Sequence, residues 1–422
     1  MTTDVEAPPP AKKEEDERRD SFVGLFLHNL WSANTVTVTV LSILLALIIG
    51  AVLIVVSDPD VLSTFSYFTA RPSDALTASW DLISAAYADL FRGAIFDPSA
   101  FQAWINGTGT WRAAFTPISE TLTYAAPLVF TGLSVAIAFR GGLFNIGGQG
   151  QAVIGCITSA VAGFAFGLPA GLNLLVALLC GALGGALWGF LPGLLKARTG
   201  AHEVITTIML NYTATLFLSW LILQDGVQDP NRSDAISRTI DASAQLPALP
   251  APLRVHLGIV FAVLVTAGVA WLINRSSFGF ELRAVGVNPP AARTAGMSVA
   301  KTYTLLMVIA GALAGLGGAT QVLGTADKLT TQVAGNIGFD GLLVALLGRN
   351  RPWGTLFAAI LYGALRAGGN LMQADVGISL ELVTVLQALI VIFIAAPALV
   401  KAIFQLRAAR AARLGASMAK GW

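Results

Sequence analysis

Charged side chains are scarce in this sequence. Asp, Glu, Lys and Arg make up 12% of its 422 residues, against roughly 25% in an ordinary soluble domain. So few charges cannot cover the surface of a soluble chain this long, and those present cluster at the two ends and in a few short stretches. Cysteine is nearly absent. Cys156 and Cys180 both fall inside apolar runs and read as small buried residues of lipid-embedded helices. The three histidines, His28, His202 and His256, stand far apart, so no metal-ligand cluster is expected. A net charge of only +2 gives no reason to expect nucleic acid as a partner. No Gly-x-x-x-x-Gly-Lys-(Ser/Thr) phosphate loop is found. Neither is a series of acidic groups in successive apolar runs, as a proton relay would need, nor a Ser/His/Asp, Cys/His or metal constellation suited to catalysis. The chain is therefore expected to hold no catalytic site and no cofactor of its own. If it transports actively, another subunit must hydrolyse ATP.

What is abundant is apolar sequence, 55% of all residues. It is arranged in runs of about 20 residues, enough to cross a hydrocarbon core ~30 Å thick as helices. The expected fold is an all-α, polytopic transmembrane bundle of ten spans, near 36–56, 118–139, 150–168, 172–193, 204–223, 257–274, 302–323, 337–348, 353–371 and 380–399. Residues 1–35 read as a tail without a core, since they carry three consecutive prolines and a mixed-charge run from Lys12 to Asp20. Segment 36–56 is too long for a signal peptide, lacks a small-x-small cleavage site and reads as a retained anchor. Two polar connections, 57–117 and 224–256, interrupt the pattern. The first either docks a partner or caps the bundle, with Trp80, Trp104 and Trp111 suited to the membrane interface. A basic tail, 400–422, closes the chain.

Lysine and arginine give the orientation. With the N-terminus in the cytoplasm, 18 basic residues lie inside and seven, from Arg71 to Lys328, lie outside. The eighth segment is short, but it must cross if the basic C-terminal tail is also to be cytoplasmic. An ionisable group at the centre of a span is costly, by about 2.5–3.5 kcal/mol on insertion scales, so Arg366 and Glu381 are expected to pair between the ninth and tenth spans.

Glycine, with 43 copies, carries two further signals. Gly181, Gly185 and Gly189 share one helix face, as do Gly311 and Gly315; this spacing lets helix backbones approach closely in lipid. A motif also recurs. Asn145-Ile146-Gly147-Gly148-Gln149-Gly150 and Asn336-Ile337-Gly338-Phe339-Asp340-Gly341 both fit Asn-Ile-Gly-x-(Gln/Asp)-Gly. On the topology above the first copy lies toward the cytoplasm and the second toward the outside, the signature of an inverted repeat with broken or re-entrant segments. Glycines there open the helix, and the freed backbone groups need polar partners. Amides such as Asn145 and Gln149 both donate and accept hydrogen bonds, which suits a hydroxyl-rich or base-bearing solute.

Several runs resemble one family. Gly141 to Gln151 (GGLFNIGGQGQ) looks like the hallmark run of permeases in the sugar and nucleoside branch of ABC importers, and Pro127 to Leu133 is similar to the same family. Gly200 to Tyr212 (GAHEVITTIMLNY) resembles its nucleoside-type members. Arg283 to Asn288, followed by Ala291 to Gly296, matches the family's inner loop. The resemblance covers residues 118–399. It implies a plasma-membrane permease of a bacterium, with both termini cytoplasmic, that pairs with a second, homologous permease. The implied partners are a cytoplasmic ATPase carrying ATP and Mg, an extracytoplasmic solute-binding protein, often a lipoprotein, and membrane lipid. The substrate-path set is Asn145, Gln149, Asn211, Asn336 and Glu203. Loop 275–301, with a short helix after Pro290, would carry ATPase motion through Arg283, Ala291, Ala292, Arg293 and Gly296. Gln149 stands where many relatives have Glu, and His202 where they often have Asn. Nucleosides are the first choice of solute, followed by simple sugars such as ribose and by riboflavin-like compounds. A stand-alone secondary transporter is the competing class.

Overall fold

The computed structural model describes residues 35–404. The tail at 1–34 and most of the basic tail, 405–422, lie outside the described residues. The described chain is helical: α1 (Thr35–Ser57), α2 (Pro59–Phe65), α3 (Pro72–Ala94), α4 (Pro98–Ile105), α5 (Trp111–Arg140), α6 (Gly148–Ala165), α7 (Leu172–Thr199), α8 (Glu203–Leu221), α9 (Gly258–Arg275), α10 (Ser277–Val287), α11 (Pro289–Thr294), α12 (Val299–Gln321), α13 (Ile337–Leu347), α14 (Pro352–Val376), α15 (Leu380–Ala395) and α16 (Pro397–Ile403). The described residues divide into two compact units, 35–46 with 392–404, and 47–391. In the first, Ser42 donates its hydroxyl to the Phe393 carbonyl at 3.1 Å.

Among the described residues, six helices are long and apolar enough to cross a membrane: Val38–Ser57, Trp111–Arg140, Leu172–Thr199, Glu203–Leu221, Gly258–Arg275 and Val299–Ala326. The expected third and ninth spans form long helices too, α6 and α14, but Gln149, Gln151, Arg366 and Asn370 make them more polar. Both are largely buried in protein, where lipid-facing hydropathy is not required. The expected eighth span is α13, whose 11 residues reach only ~16 Å, about half a bilayer. The chain nevertheless runs from one end of the bundle to the other between 327 and 350. At its start the Ile240 amide, in the 224–256 loop before α9, donates to the Asp327 carbonyl at 2.9 Å. At its finish the Asn350 carbonyl accepts from Arg140 Nε, at the C-terminus of α5, also at 2.9 Å. The non-helical stretch 327–336 thus covers the part of the distance that α13 does not. The C-termini of α5, α7 and α9 and the N-terminus of α14 bring Arg140, Lys196, Arg198, Arg275 and Arg351 to what we call the basic end.

Backbone proximity holds the bundle together. A Cβ on Gly185 would fall on the Gly311 carbonyl oxygen and lie 2.6 Å from Gly315 Cα, and one on Gly315 would fall on the Gly181 carbonyl. The two glycine faces read from the sequence are therefore the two sides of one seam between α7 and α12. Gly155 of α6 joins it, since its Cβ would fall on the Gly315 carbonyl. Lipid gives no hydrophobic drive between helices, so this close dispersion contact supplies much of the adhesion.

The 57–117 connection is mostly helical. Its main element, α3, lies along α14. A Cβ on Gly368 would meet the Leu90 carbonyl, and one on Gly93 would lie 2.8 Å from Leu371 Cβ. Asp58 and Asp97 cap α2 and α4, accepting from main-chain amides two or three residues on.

Gly315→Leu is expected to split the α7–α12 seam, lowering stability by about 1–3 kcal/mol or more and reducing the yield of folded protein. Gly268→Ala, on α9 with no atom near its would-be Cβ, should instead add about 0.5–1 kcal/mol. Thermal unfolding in detergent checks both; equal behaviour of the two variants would contradict the seam.

Candidate functional site

The two copies of the Asn-Ile-Gly motif meet. After α5 the chain turns through 141–147, with Gly142 at φ +76°, and α6 starts at Gly148. The opposing stretch, 327–336, leads into α13 at Ile337. A Cβ on Gly338 would fall on the Gln149 backbone and lie 2.6 Å from the Gly148 carbonyl carbon. From this point α6 climbs away from the basic end, until Gly163 accepts from the Asp241 amide at 3.4 Å. α13 runs the other way, to the basic end. Two helix N-termini, each with a partial positive charge and free-pointing N–H groups, therefore face one another inside the bundle, as an inverted repeat predicts.

Gln149 joins the halves. Its Nε2 donates to the Gly335 carbonyl at 2.7 Å, and its Oε1 accepts from the Gly338 amide at 2.9 Å. Both are backbone groups that the break before α13 leaves without helical partners. Asn211, on α8, does the same for the first break: its Oδ1 accepts from the Gly150 amide at 2.8 Å and its Nδ2 donates to the Ile146 carbonyl at 3.0 Å. Thr131, on α5, donates to the Ile337 carbonyl at 2.9 Å.

A cavity of about 440 Å³ opens beside these contacts, lined by Gln149, Asn211, Tyr212, Gln332, Asn336 and Phe339 among others. Thus Gln149, Asn211 and Asn336 of the expected path residues come together. Two stand apart. Asn145 is buried and serves as scaffold: its Nδ2 donates to Gln151 Oε1 at 2.9 Å and to Ser134 Oγ at 3.2 Å, and its Oδ1 accepts from Gln151 Nε2. Glu203 pairs with Lys196 at 2.8 Å across the turn between α7 and α8. The sequence pattern does not single out Tyr212, Gln332 or Phe339. Tyr212 lies within a quoted run and Phe339 within the second motif, whereas Gln332 has no local signal.

The non-helical stretch 327–336 is also held from the far end. α12 finishes in a π-turn, Val322–Ala326, of the kind that often marks functional positions. The 224–256 loop grips this region through main-chain bonds from Leu246 to Leu323 (2.9 Å) and from Ser237 to Leu329 (3.0 Å). Below it His256 is almost wholly buried, its Nδ1 accepting from the Gly258 amide at 3.1 Å. Burial, and secondarily the Arg254 charge, push its pKa down to about 4.

On the basic end, α10 and α11 make a compact turn. Asn288 caps α11 by accepting from the Ala291 amide at 3.1 Å. Ala292 is buried with Val285 and Val299, while Ala291, Arg293 and Gly296 are exposed and Arg283 is half-buried. The expected Arg366–Glu381 pair does not form. Glu381 is exposed, and Arg366 lines a second, smaller cavity instead, because α14 turns it toward α13 rather than toward α15.

Residues 117–395 match the family described as branched-chain amino acid transport system / permease component. The chain is 41% identical over 304 residues to the guanosine ABC transporter permease protein NupP of Bacillus subtilis, covering 70% of this chain and 87% of the relative. It is 37% identical over 302 residues to the nucleoside ABC transporter permease protein NupB of Lactococcus lactis, covering 69% and 81%. The glucose ABC transporter permease protein TsgB13 of Haloferax volcanii is 31% identical over 287 residues, covering 66% and 75%.

Two outcomes follow from this geometry. Gln149→Leu keeps the side-chain size but leaves the Gly335 carbonyl and Gly338 amide without partners. It should cut solute uptake at least tenfold at unchanged protein level, and unaltered uptake would remove Gln149 from the site. His256 is neutral in the folded protein, so above pH ~6.5 it contributes no pH dependence. As the pH falls from ~6.5 toward ~4 the unfolded chain takes up a proton that folded His256 refuses, and stability drops by up to about 3 kcal/mol. Detergent melting curves should show this fall, and His256→Gln should flatten it. With this fold and this pair of opposed helix ends, the chain belongs to the branched-chain amino acid transport system / permease component family.

Proposed function

We propose that this chain is the membrane permease of an ATP-driven ABC importer and that it carries nucleosides. The observation that bears most weight is the cavity at the meeting of the two motif copies, taken with the names of the relatives. Its volume, about 440 Å³, admits a nucleoside whole. Gln149, Asn211, Gln332 and Asn336 offer amides that can both donate to and accept from a base edge, while Tyr212 and Phe339 offer rings on which a base can stack. These lining side chains carry no net charge, which suits a neutral solute that must also be released.

Further subunits complete the system. A second, homologous permease fits the outward face of α8, where Ile205, Met209, Tyr212, Leu216 and Trp220 are all more than half exposed, on the open side of the cavity. The relatives point the same way: guanosine permease proteins NupP and NupQ both occur in Bacillus subtilis, and nucleoside permease proteins NupB and NupC in Lactococcus lactis. ATP hydrolysis belongs to a separate cytoplasmic ATPase docked on the basic end, with Ala291, Arg293 and Gly296 on the exposed side of the coupling turn and Ala292 packed beneath it. An extracytoplasmic binding protein delivers solute to the opposite end, above the 224–256 loop and the 57–117 helices. Both termini then lie in the cytoplasm. Simple sugars are the second reading, favoured by the glucose-permease relative at lower identity.

Proteoliposomes holding both permeases and the ATPase, supplied with binding protein, should accumulate labelled uridine or guanosine only with ATP. Accumulation of ribose but not of nucleosides would move the chain to the sugar reading, and uptake by this chain alone without ATP would sink the importer reading. In the same vesicles Ala291→Trp should leave ATP hydrolysis running while uptake falls; normal uptake would take the 288–296 turn out of the coupling.

A further inference from the structure

The corner where α9 gives way to α10 is tight. A Cβ on Gly279 would fall on the Leu272 carbonyl, and Ser276 caps α10 by accepting from the Gly279 amide at 2.9 Å. α10 therefore folds straight back from the end of α9. Ser277, Phe278 and Glu281, at spacings of three and four residues, share one of its faces. That face lines a crevice of about 390 Å³, whose other walls include Leu272 of α9 and Lys301, Leu305 and Ile309 of α12. The crevice lies at the basic end, where Arg275 closes α9 and Ser298 caps α12. Trp271, one turn before Arg275, is 62% exposed, and an open indole at the end of a spanning helix marks the membrane–water interface.

The crevice changes character with depth. Ile309 lies eight residues beyond Lys301 along α12, ~12 Å deeper at ~1.5 Å per residue. The polar layer on each side of a bilayer is only ~5–8 Å thick, so with Lys301 among headgroups Ile309 lies among acyl chains. The two charges are both free. Among the described residues the side chains of Glu281 and Lys301 have no hydrogen-bond or ion-pair partner, and they do not pair with each other. A matching ligand carries an anion for Lys301, a cation for Glu281 and an apolar chain for the depth. A phospholipid with a primary-amine headgroup has all three, and its ammonium offers N–H donors that a carboxylate accepts. A choline headgroup has the charge but no N–H to donate. A glycerol headgroup brings the anion alone and leaves Glu281 without a partner. The volume equals about thirteen waters at ~30 Å³ each, room for a headgroup and the upper part of one chain.

We propose that this crevice is a phospholipid site, selective for a zwitterionic lipid with a primary amine, in the leaflet at the basic end. Lys301 holds the phosphate, Glu281 holds the ammonium, and one acyl chain lies along Leu272, Leu305 and Ile309. The site adjoins the coupling turn. α10 leads directly into residues 288–296, and its Val285 packs with Ala292 and Val299, so a lipid seated between α10 and α12 braces that turn from the membrane side. The proposal is independent of the solute carried.

The test uses the full chain purified in detergent and washed free of native lipid. It is titrated with phosphatidylethanolamine, phosphatidylcholine and phosphatidylglycerol of identical acyl chains, and bound lipid is counted by native mass spectrometry. Wild type should retain one phosphatidylethanolamine about tenfold more tightly than either competitor. Glu281→Lys should reverse the order in favour of phosphatidylglycerol, and Lys301→Gln should lower retention of all three. Glu281→Gln, a milder change, should bring phosphatidylethanolamine down to the level of phosphatidylcholine. Neither side chain is buried, so melting temperatures should match wild type, which separates lost binding from lost fold. Equal retention of the three lipids by wild type, a wild-type preference for phosphatidylglycerol, or an unchanged order in both Glu281 variants would overturn the site while leaving the importer reading intact.

Discussion

Inside a bilayer a broken helix is tolerable only if protein groups replace the hydrogen bonds the break removes. The centre of this molecule is organised around that requirement. Gln149 supplies a donor and an acceptor to the Gly335–Gly338 break, and Asn211 supplies both to the Ile146–Gly150 break. Because these two amides satisfy backbone, the chain can expose peptide groups at mid-bundle, keep its glycines in contact and leave space beside them. A carboxylate at position 149 could accept from the Gly338 amide but could not donate to the Gly335 carbonyl. The glutamine therefore suits this pair of contacts on geometric grounds, apart from any effect on solute charge.

Much of the architecture could be read from the sequence because it is written in local pattern. Four-residue glycine spacing gave both faces of the α7–α12 seam, and the repeated Asn-Ile-Gly motif identified the two stretches that face each other. What escaped was set by contacts distant along the chain. Gln149 and Gly335 are 186 residues apart, and nothing near either marks the bond. Arg366 looked like the natural partner of Glu381 because both sit in neighbouring apolar runs, but rotation about α14 sends the guanidinium to a cavity. The apolar run 337–348 reads as a short span; the structure shows it as helix and completes the passage with the non-helical stretch 327–336 before it. Among the site residues, Asn145 and Gln149 carry the same functional group four positions apart. Both are buried; what separates scaffold from cavity wall is that Asn145 bonds Ser134 and Gln151 nearby in the chain while Gln149 bonds Gly335 and Gly338 across the bundle, and such partners are not visible in a motif.

The far end of the molecule works on the same stretch of chain. The 224–256 loop has little regular structure, yet its main chain bonds to the π-turn and to 327–330. The stretch beside the main cavity is thus anchored on one side by Gln149 and on the other by a surface loop. A partner that shifts the loop pulls on the cavity wall through backbone hydrogen bonds, without any side-chain relay.

The glycine seam also limits how the bundle can move. With peptide against peptide and no side chains between them, α7 and α12 cannot slide along each other by a fraction of a turn without collision, and a full turn would take Gly185 out of its place beside Gly311 and Gly315. Together with α6 they form a stator. Any alternation of access must then fall to the parts joined to it by hydrogen bonds: α8, α13 and the two interrupted stretches.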